Sequence, residues 1–472
     1  MARSIDSCSE ILARISPVLE AVLRAYRVPV PLARQFIDDA CRTLLAKERL
    51  YREDREGWLL RTTSRAANGG GRRRSLKIHP NDQFLEEFLL SLGADQLAMA
   101  RHLAACSYCR SRTFYLPREL RRDAEAAAGP GEATGYEAAL SETRRSLSEW
   151  EAILEKERDD APGLYVELLE QPAEDRDLLL RDVPRFQTWG LFELLVERSL
   201  EASLQDPDFG EHLGLLALRL ADHLDRERYG AERIADLRAR AWAFVGNACR
   251  LRFDFQGADE AFGRAYQQLQ KGTRDGLERA IFLDLKASLR RAERRFDESI
   301  RLLRRAVDLF LSHGERHRAG RSLVNLSTAY NYMGHSEDSV PVLTRAVELI
   351  DPERDPRLLL CARHNLVFVL AELGRFPEAQ RLYRDARPLY RSFNEPWVQN
   401  RRRWVRGKIA RGLGQLRRAE TQFQAARDGF VAEGIPYDTA LVSLELALLY
   451  AEQGRTDELK RLAAEMVPIF TS

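Results

Sequence analysis

A six-residue turn recurs through the second half of the chain with a period of 40 residues. Its copies begin at positions 294, 334, 374, 414 and 454, and a further copy begins at 253. Each copy lies between two stretches whose apolar residues have helical spacing. Self-similarity at this period is typical of stacked helix pairs, in which each pair buries its apolar face against its neighbours. The sequence therefore predicts an all-α fold with a C-terminal solenoid.

The copy at 374–379 reads Gly-Arg-Phe-Pro-Glu-Ala. This pattern resembles the turn of tetratricopeptide repeats, although the loops between repeats are longer here than in the ~34-residue form. The resemblance implies tetratricopeptide-like repeats over 239–472, with a groove that binds a partner protein, and degenerate repeats over 138–238. A helix-capping role, or one within a repeat, is the alternative for the amides that the resemblance places in the groove. These amides are Asn247, Asn325 and Asn365.

A cluster of soft metal ligands precedes the repeats. His102, Cys106 and Cys109 follow one another as His-x3-Cys-x2-Cys, and His79 lies 23 residues before His102. A histidine and a cysteine at i and i+4 share one helix face, and two closely spaced thiolates can bind the same tetrahedral ion. We therefore predict that these four residues bind one structural Zn²⁺, which would supply much of the folding free energy of this short segment. A reduced, packed cysteine pair with surface histidines is the alternative.

The same order of ligands resembles the zinc-binding anti-sigma domain of bacterial regulators. The resemblance runs from His79 to Arg112 and implies a small helical zinc module over residues 76–118. Residues 119–137, which include Gly129-Pro130-Gly131, are small and charged. Their composition predicts a flexible linker that proteases can cut.

Apolar residues with helical spacing predict a helical bundle over residues 1–75. Residues 35–39 read Gln-Phe-Ile-Asp-Asp, and residues 56–62 read Glu-Gly-Trp-Leu-Leu-Arg-Thr. These segments resemble region 2 of the extracytoplasmic-function sigma factors, where one helix binds RNA polymerase and the next opens and reads promoter DNA. The resemblance implies polymerase contact through Gln35, Asp38 and Asp39. It implies DNA contact through Trp58, Arg61, Arg65, Arg72, Arg73 and Arg74.

This N-terminal segment departs from the sigma-factor pattern in three ways. The acidic and amide positions are exchanged between Gln35 and Asp38. Gly69–Gly71 interrupt the DNA-reading helix, because each glycine destabilises a helix by about 1 kcal/mol. The helix-turn-helix of region 4 does not follow, because the metal-ligand segment stands in its place. The alternative is a helical bundle in which residues 72–74 form a solvated loop.

Charge and composition limit the partners and the compartment. Residues 1–78 hold 16 Lys and Arg against 9 Asp and Glu, a balance of +7 in a chain of formal net charge +2. A basic N-terminal unit favours a polyanion or an acidic partner. Six cysteines without a secretory signal, and no apolar run near the ~20 residues of a membrane span, predict a cytoplasmic protein without a membrane partner. No nucleophile, acid–base or phosphate-loop motif is visible, so we expect no enzymatic activity.

These resemblances lead to two functional hypotheses. In the first, the chain is a bacterial transcription regulator of sigma/anti-sigma type, with RNA polymerase core or a sigma factor and promoter DNA as partners. Its zinc module would cover the polymerase-facing helix until partner binding in the groove, thiol oxidation or cleavage near 119–137 exposes that helix. In the second, the chain is a tetratricopeptide scaffold or adaptor in a signalling or defence complex, without promoter contact.

Overall fold

The computed structural model describes residues 7–47, 50–51, 53–67, 79–89, 96–106, 109–110, 112–113 and 133–471. Within these ranges the regular elements are helical and no β-strand occurs. The predicted all-α fold is therefore confirmed.

Contacts divide the described chain into two compact units. The first takes residues 1–293 and 308–315, and the second takes residues 294–307 and 316–472. The first unit thus holds the N-terminal helices, the metal-ligand segment and the copy of the turn that begins at 253.

The N-terminal helices begin where the sequence supplies a cap. The Ser7 side chain accepts from the Glu10 N–H and the Glu10 side chain from the Ser7 N–H, which forms a capping box. Pro29 precedes the next helix, because proline restricts the backbone without requiring a hydrogen-bond acceptor there. These helices are α1 (Cys8–Ala25), α2 (Val30–Ala46), α3 (Arg55–Ala67), α4 (Asp82–Leu89) and α5 (Gln96–Ala105).

A 38-residue helix, α6 (Ala133–Glu170), packs against α1 and α2. It begins before the predicted linker boundary at 138, because Tyr136 is buried and its hydroxyl donates to the Val28 carbonyl. Residues 119–132 of the predicted linker lie outside the described residues.

The rest of the first unit is a series of helices, several of which begin at a polar N-cap. The Thr188, Asp206, Asp254 and Asp275 side chains each accept a hydrogen bond from a backbone N–H in the first turn that follows. A 3-10 turn at Pro184–Phe186 precedes the first of these caps. The helices are α7 (Ala173–Asp182), α8 (Trp189–Ala202), α9 (Pro207–His223), α10 (Arg226–Tyr229), α11 (Ala231–Leu251), α12 (Phe255–Lys271) and α13 (Gly276–Ala292).

The second unit contains the helix pairs that the 40-residue period predicts. Helix α14 (Phe296–Ser312) contributes its residues through Val307 to this unit. The other helices are α15 (Arg316–Tyr332), α16 (Ser336–Leu349), α17 (Pro356–Glu372), α18 (Phe376–Arg391), α19 (Pro396–Gly412), α20 (Leu416–Ala432), α21 (Pro436–Glu452) and α22 (Thr456–Thr471).

Four copies of the recurring turn end the first helix of their pair with a glycine in the left-handed region, whereas the copy at 294 has Arg294 in that conformation, with φ of 61°. In the residue after each glycine, the N–H donates 2.9 Å to a carbonyl five residues earlier, which closes the last helical turn. A side chain at this backbone conformation is strained, so glycine recurs at the turn. The glycines are Gly334, Gly374, Gly414 and Gly454, with φ between 66° and 76°. The predicted repeat solenoid is confirmed.

The core of the second unit lies between paired helices. Phe423 and Phe430 of α20 are fully buried, and Trp404 of α19 packs with its ring centroid 6.3 Å from that of Phe430. Gly407 allows α19 and α20 to approach closely, since an added Cβ would lie 2.5 Å from the Phe423 ring.

Candidate metal centre and protein-binding groove

The four predicted metal ligands lie together in the first unit. The ligand atoms of His79, His102, Cys106 and Cys109 are all within 4.8 Å of one another. Cys109 Sγ lies 3.3 Å from His79 Nδ1 and 3.2 Å from His102 Nε2, and Cys106 Sγ lies 3.4 Å from His79 Nδ1. Ligand atoms around a tetrahedral Zn²⁺ are roughly 3.4–3.8 Å apart, as bond lengths of ~2.1 Å to nitrogen and ~2.3 Å to sulfur require. The group is thus one that can hold a metal ion.

Two chain segments bring these ligands together. His102 lies in the last turn of α5, and the Cys106 N–H donates to its carbonyl at 2.8 Å, so the helical path continues to the first thiol. His79 lies just before α4. Arg112 donates 2.8 Å to the Pro80 carbonyl, which joins the segment after the cysteines to the segment that carries His79.

Burial differs among the four ligands. Cys109 and His102 are buried, Cys106 is half-buried and His79 is exposed. Burial raises the pKa of the Cys109 thiol to about 12, and its hydrogen bond with Cys106 adds to the rise. A divalent cation must therefore displace a tightly held proton from Cys109, so metal binding at this group releases protons.

A buried ion network connects the metal-ligand segment to α3. Arg110, which is almost fully buried, donates 2.8 Å to the Leu103 carbonyl and pairs with Asp54. Arg61 of α3 donates 3.0 Å to the same carboxylate and 2.9 Å to the Ala104 carbonyl. The segment that carries the metal ligands therefore packs against α3 through both charge and backbone contacts.

The residues predicted to bind DNA have different environments. Trp58 is 3% exposed, with its ring centroid 4.6 Å from that of Tyr51, and Arg61 is 9% exposed. Arg65 is exposed. Trp58 and Arg61, two of the residues predicted to contact DNA, are thus buried in contacts within the fold in this conformation. Arg72, Arg73 and Arg74 lie outside the described residues.

The residues predicted to bind polymerase lie along α2. Gln35 is exposed, Asp38 lies 3.7 Å from Arg34, and Asp39 pairs at 3.0 Å with Arg233 of α11. Helix α2 packs against α3 and α6, whereas α5 packs against α1 and α3. Among the described helices, the metal-ligand segment therefore lies mainly against α3, next to the predicted DNA-reading residues.

The three predicted groove amides are not equivalent. Asn247 of the first unit is 5% exposed, and its side-chain oxygen accepts at 2.9 Å from Arg250, so it is used within its own helix. In the second unit, Asn325 and Asn365 are half-buried on α15 and α17. Asn365 contacts the Cys361 thiol at 3.8 Å.

An exposed apolar surface of the second unit lies on another helix, α21. Tyr437, Leu444 and Leu448 are 65%, 50% and 52% exposed. Their spacing of seven and then four residues places them on one face of the helix. The sequence of α21 indicates this surface, because the helix has more apolar residues than one buried face can hold.

A second buried cluster was not predicted from the sequence. Lys47, at the end of α2, lies 2.7 Å from Asp236, 3.3 Å from Asp275 and 3.5 Å from Glu278. Arg240 also pairs with Glu278. Burial by itself lowers the pKa of Lys47, but the three carboxylates raise it above its usual range.

None of the helices in the described ranges is long and apolar enough to cross a membrane.

Comparison with known proteins supports the repeat array. The family model of the tetratricopeptide repeat matches residues 278–351. No curated protein matches the chain. Among solved structures, a Rap protein complexed with competence and sporulation factor is 13% identical, with a TM-score of 0.45, over 59% of this chain and 76% of that one.

Two further solved structures are similar at the same low level. Aspartyl phosphate phosphatase F from Bacillus subtilis is 13% identical, with a TM-score of 0.46, over 77% of this chain and 90% of that one. A signal transduction ATPase with a tetratricopeptide repeat sensor from Pyrococcus horikoshii is 11% identical, with a TM-score of 0.36, over 76% of this chain and 55% of that one. With the matched family model, the helix pairs identify a tetratricopeptide-type array, a fold that serves as a scaffold for protein interaction.

Proposed function

We propose that this protein is an interaction scaffold that captures a partner protein on α21 and the neighbouring first helices of its repeats. The observation that carries this proposal is the exposed apolar face of α21, formed by Tyr437, Leu444 and Leu448. Several large apolar side chains exposed on one helix face are typical of a surface that a partner covers. A partner segment with apolar anchors at helical spacing would bury this face.

Charge next to this face gives the partner a second requirement. Trp397 of α19 is partly exposed, and the guanidinium groups of Arg357 and Arg401 lie 5.8 Å and 5.9 Å from its ring centroid. Both arginines are exposed. Arg357 pairs with Glu395, and Arg401 lies 3.3 Å from Asp438 of α21. A partner segment that carries carboxylates beside its apolar anchors would compete for these guanidinium groups, because guanidinium groups bind carboxylates with two parallel hydrogen bonds.

The test replaces part of the apolar face in the full chain. The double variant Leu444→Lys/Leu448→Lys is compared with the parent protein and with Leu178→Lys, a change at an exposed leucine of the first unit. A partner is identified by co-purification from the native cell and then titrated as a purified protein. We expect the double variant to lose at least tenfold in affinity and Leu178→Lys to bind normally. Equal affinity for all three proteins would refute the proposal.

We further propose that the first unit is a zinc-stabilised structural domain, with His79, His102, Cys106 and Cys109 as the ligands. Two nitrogens and two thiolates are the donor set of closed structural zinc sites. The ion would hold the segments before α4 and after α5 together, while Arg110 and Asp54 hold that segment against α3. Since those four ligands leave no open position on a tetrahedral ion, the proposed role is structural rather than catalytic.

A second candidate function is the transcription regulator of sigma/anti-sigma type. It is supported by the packing of α5 on α3, where Arg61 donates to the Ala104 carbonyl, since a metal-dependent segment would then cover a sigma-like helix. The test measures binding of RNA polymerase core to the full chain before and after zinc chelation. Binding that begins only after chelation would favour this regulator. Absence of binding in both states would eliminate it and leave the scaffold proposal unaffected.

A further inference from the structure

A cavity of about 830 Å³ lies inside the first unit. One wall comes from α3 and α5, and the other from the start of α11 and the loop between α12 and α13. Binding sites for small molecules usually have volumes of ~300–1,000 Å³ and lie where several elements meet. The size and position of this cavity are therefore those of a ligand site.

Arginine dominates the charge of the cavity. Three carboxylates also line it, but Asp39 pairs with Arg233 at 3.0 Å and Asp275 pairs with the buried Lys47 at 3.3 Å. The third, Glu232, is exposed. Arg61 pairs with Asp54 in the same way, so three lining arginines remain against Glu232, and this excess of positive charge favours an anionic ligand. The lining arginines are Arg61, Arg65, Arg101 and Arg274.

Two buried side chains that line the cavity hold unused hydrogen-bonding groups. Arg61 uses its Nη1 for Asp54 and Ala104, while its Nε and Nη2 have no hydrogen-bond partner among the described residues. Ser64 Oγ has none either, and both residues are more than nine-tenths buried. Buried donors without acceptors are costly. An anion in the cavity would offer acceptors to these groups after a small side-chain adjustment.

The two remaining arginines of interest lie on opposite walls. Arg65 of α3 is exposed, but the groups around its guanidinium still desolvate it in part and lower its pKa. Arg274, in the loop before α13, has φ of +60°, a left-handed conformation that non-glycine residues rarely adopt. Strained residues of this kind concentrate at ligand sites, where the backbone is fixed by other contacts.

We propose that this cavity binds a small phosphate-bearing molecule of nucleotide size, with Arg65 and Arg274 as phosphate ligands from opposite walls. The planar guanidinium group matches phosphate oxygens with paired hydrogen bonds. Arg61 and the hydroxyl of Ser64 would complete the contacts on the α3 side. The cavity is larger than a lone phosphate needs, so the ligand carries a further group that fills the remaining volume.

The experiment uses isothermal titration calorimetry on the full chain with ATP, inorganic pyrophosphate, adenosine and a short DNA duplex. The variants are Arg65→Gln and Arg274→Gln, and the matched control is Arg226→Gln, an exposed arginine of the same unit outside the cavity. We expect ATP and pyrophosphate to bind and adenosine not to bind. Each cavity variant should weaken ATP binding about tenfold, since each removes a charge-assisted contact, while the control changes it less than twofold.

Three results would overturn the proposal. The first is no binding of ATP or pyrophosphate by the parent protein at about 1 mM ligand. The second is equal weakening by Arg226→Gln, which would indicate general surface attraction. The third is tight duplex binding that requires Arg65 while ATP fails to bind, which would assign the arginines to nucleic acid. Circular dichroism melts check that both cavity variants are folded, and Arg65→Lys, which keeps the charge, should bind ATP more tightly than Arg65→Gln.

Discussion

Replacement of Lys47 by methionine tests the buried ion cluster of the first unit. The Lys47 ammonium group is fully buried, at 2.7 Å from Asp236, 3.3 Å from Asp275 and 3.5 Å from Glu278. After Lys47→Met, Arg240 would be the cation left in contact with this group of carboxylates. Loss of one partner from a buried ion pair usually costs about 3–5 kcal/mol, because the other charge stays buried.

The size of the effect follows from charge rather than volume. Methionine is close to lysine in length and volume, so the cavity contribution should be small. We therefore expect Lys47→Met to lower the free energy of unfolding of the first unit by about 3–5 kcal/mol at pH 7. Lys156→Met, a change of the same type at an exposed position of α6, should stay within about 0.5 kcal/mol of the parent.

The pH dependence of the stability difference between the variant and the parent tests the same cluster independently. Burial raises the pKa of Asp275 in the folded state, and Lys47 opposes part of that rise. In the variant the opposition is gone, so the folded state binds a proton at Asp275 more tightly than the unfolded state does. Acidification through the raised pKa should then stabilise the variant relative to the parent, and the deficit should shrink from pH 7 to pH 5.

Urea unfolding followed by tryptophan fluorescence measures both quantities. Denaturation is repeated at pH 7 and pH 5 for the parent, Lys47→Met and Lys156→Met. A deficit below about 1 kcal/mol at pH 7 would refute the assignment of Lys47 as the cation that holds this cluster. A deficit that grows on acidification would refute the argument about Asp275.

Three further predictions concern the metal ligands, the helix packing and a half-buried histidine. Cys109→Ser should abolish tight binding of one Zn²⁺ per chain, whereas Cys361→Ser, at an exposed cysteine outside the group, should keep it. Elemental analysis after dialysis measures the bound zinc, and equal zinc in both variants would contradict the site. Gly407→Ala should destabilise the second unit by about 1–3 kcal/mol, because the added methyl group clashes with Phe423. Gly263→Ala, whose added methyl group meets nothing within 4 Å, should stabilise the first unit by about 0.5–1 kcal/mol. Thermal melts measure both changes, and effects of the same sign would count against this packing. Burial, and to a lesser degree Arg401, lowers the pKa of His364 to about 3, so the unfolded state takes up the proton first and stability of the second unit should fall as the pH drops below about 6.5. His364→Gln should flatten that part of the urea-derived pH profile, and an unchanged profile would argue against a desolvated neutral imidazole at this position.

The repeat array could be predicted from sequence because its determinants are local and repeated. Each left-handed glycine ends a helix by itself, and the N–H of the residue after it donates to a carbonyl five residues earlier, as at Arg375 and Gln415. Because this local pattern repeats at a fixed period and every copy must bury the same face, the sequence also predicts the stacked architecture. The exposed face of α21 is the exception, where the apolar pattern exceeds what the pair of helices can bury.

The metal group could be predicted in part for the same reason. His102, Cys106 and Cys109 are near neighbours along one helical path, so their convergence follows from helix geometry. His79 is predicted only from its spacing before His102 and from the family resemblance, and the structure places its Nδ1 3.3 Å from Cys109 Sγ. The buried cluster around Lys47 gave no such signal, because its hydrogen bonds join residues 189 and 228 positions apart.

The position of Arg61 shows why residue type alone does not determine a role. An arginine after a Trp-Leu-Leu run resembles a DNA reader, but in this fold it donates to Asp54 and to the Ala104 carbonyl. Asp54 also binds Arg110, which follows the last metal ligand directly in sequence. The Asp54 carboxylate therefore connects Arg110, next to the metal ligands, with Arg61, which lies on α3 and lines the cavity. If the metal holds Arg110 in place, it also fixes Asp54 and with it the Arg61 guanidinium.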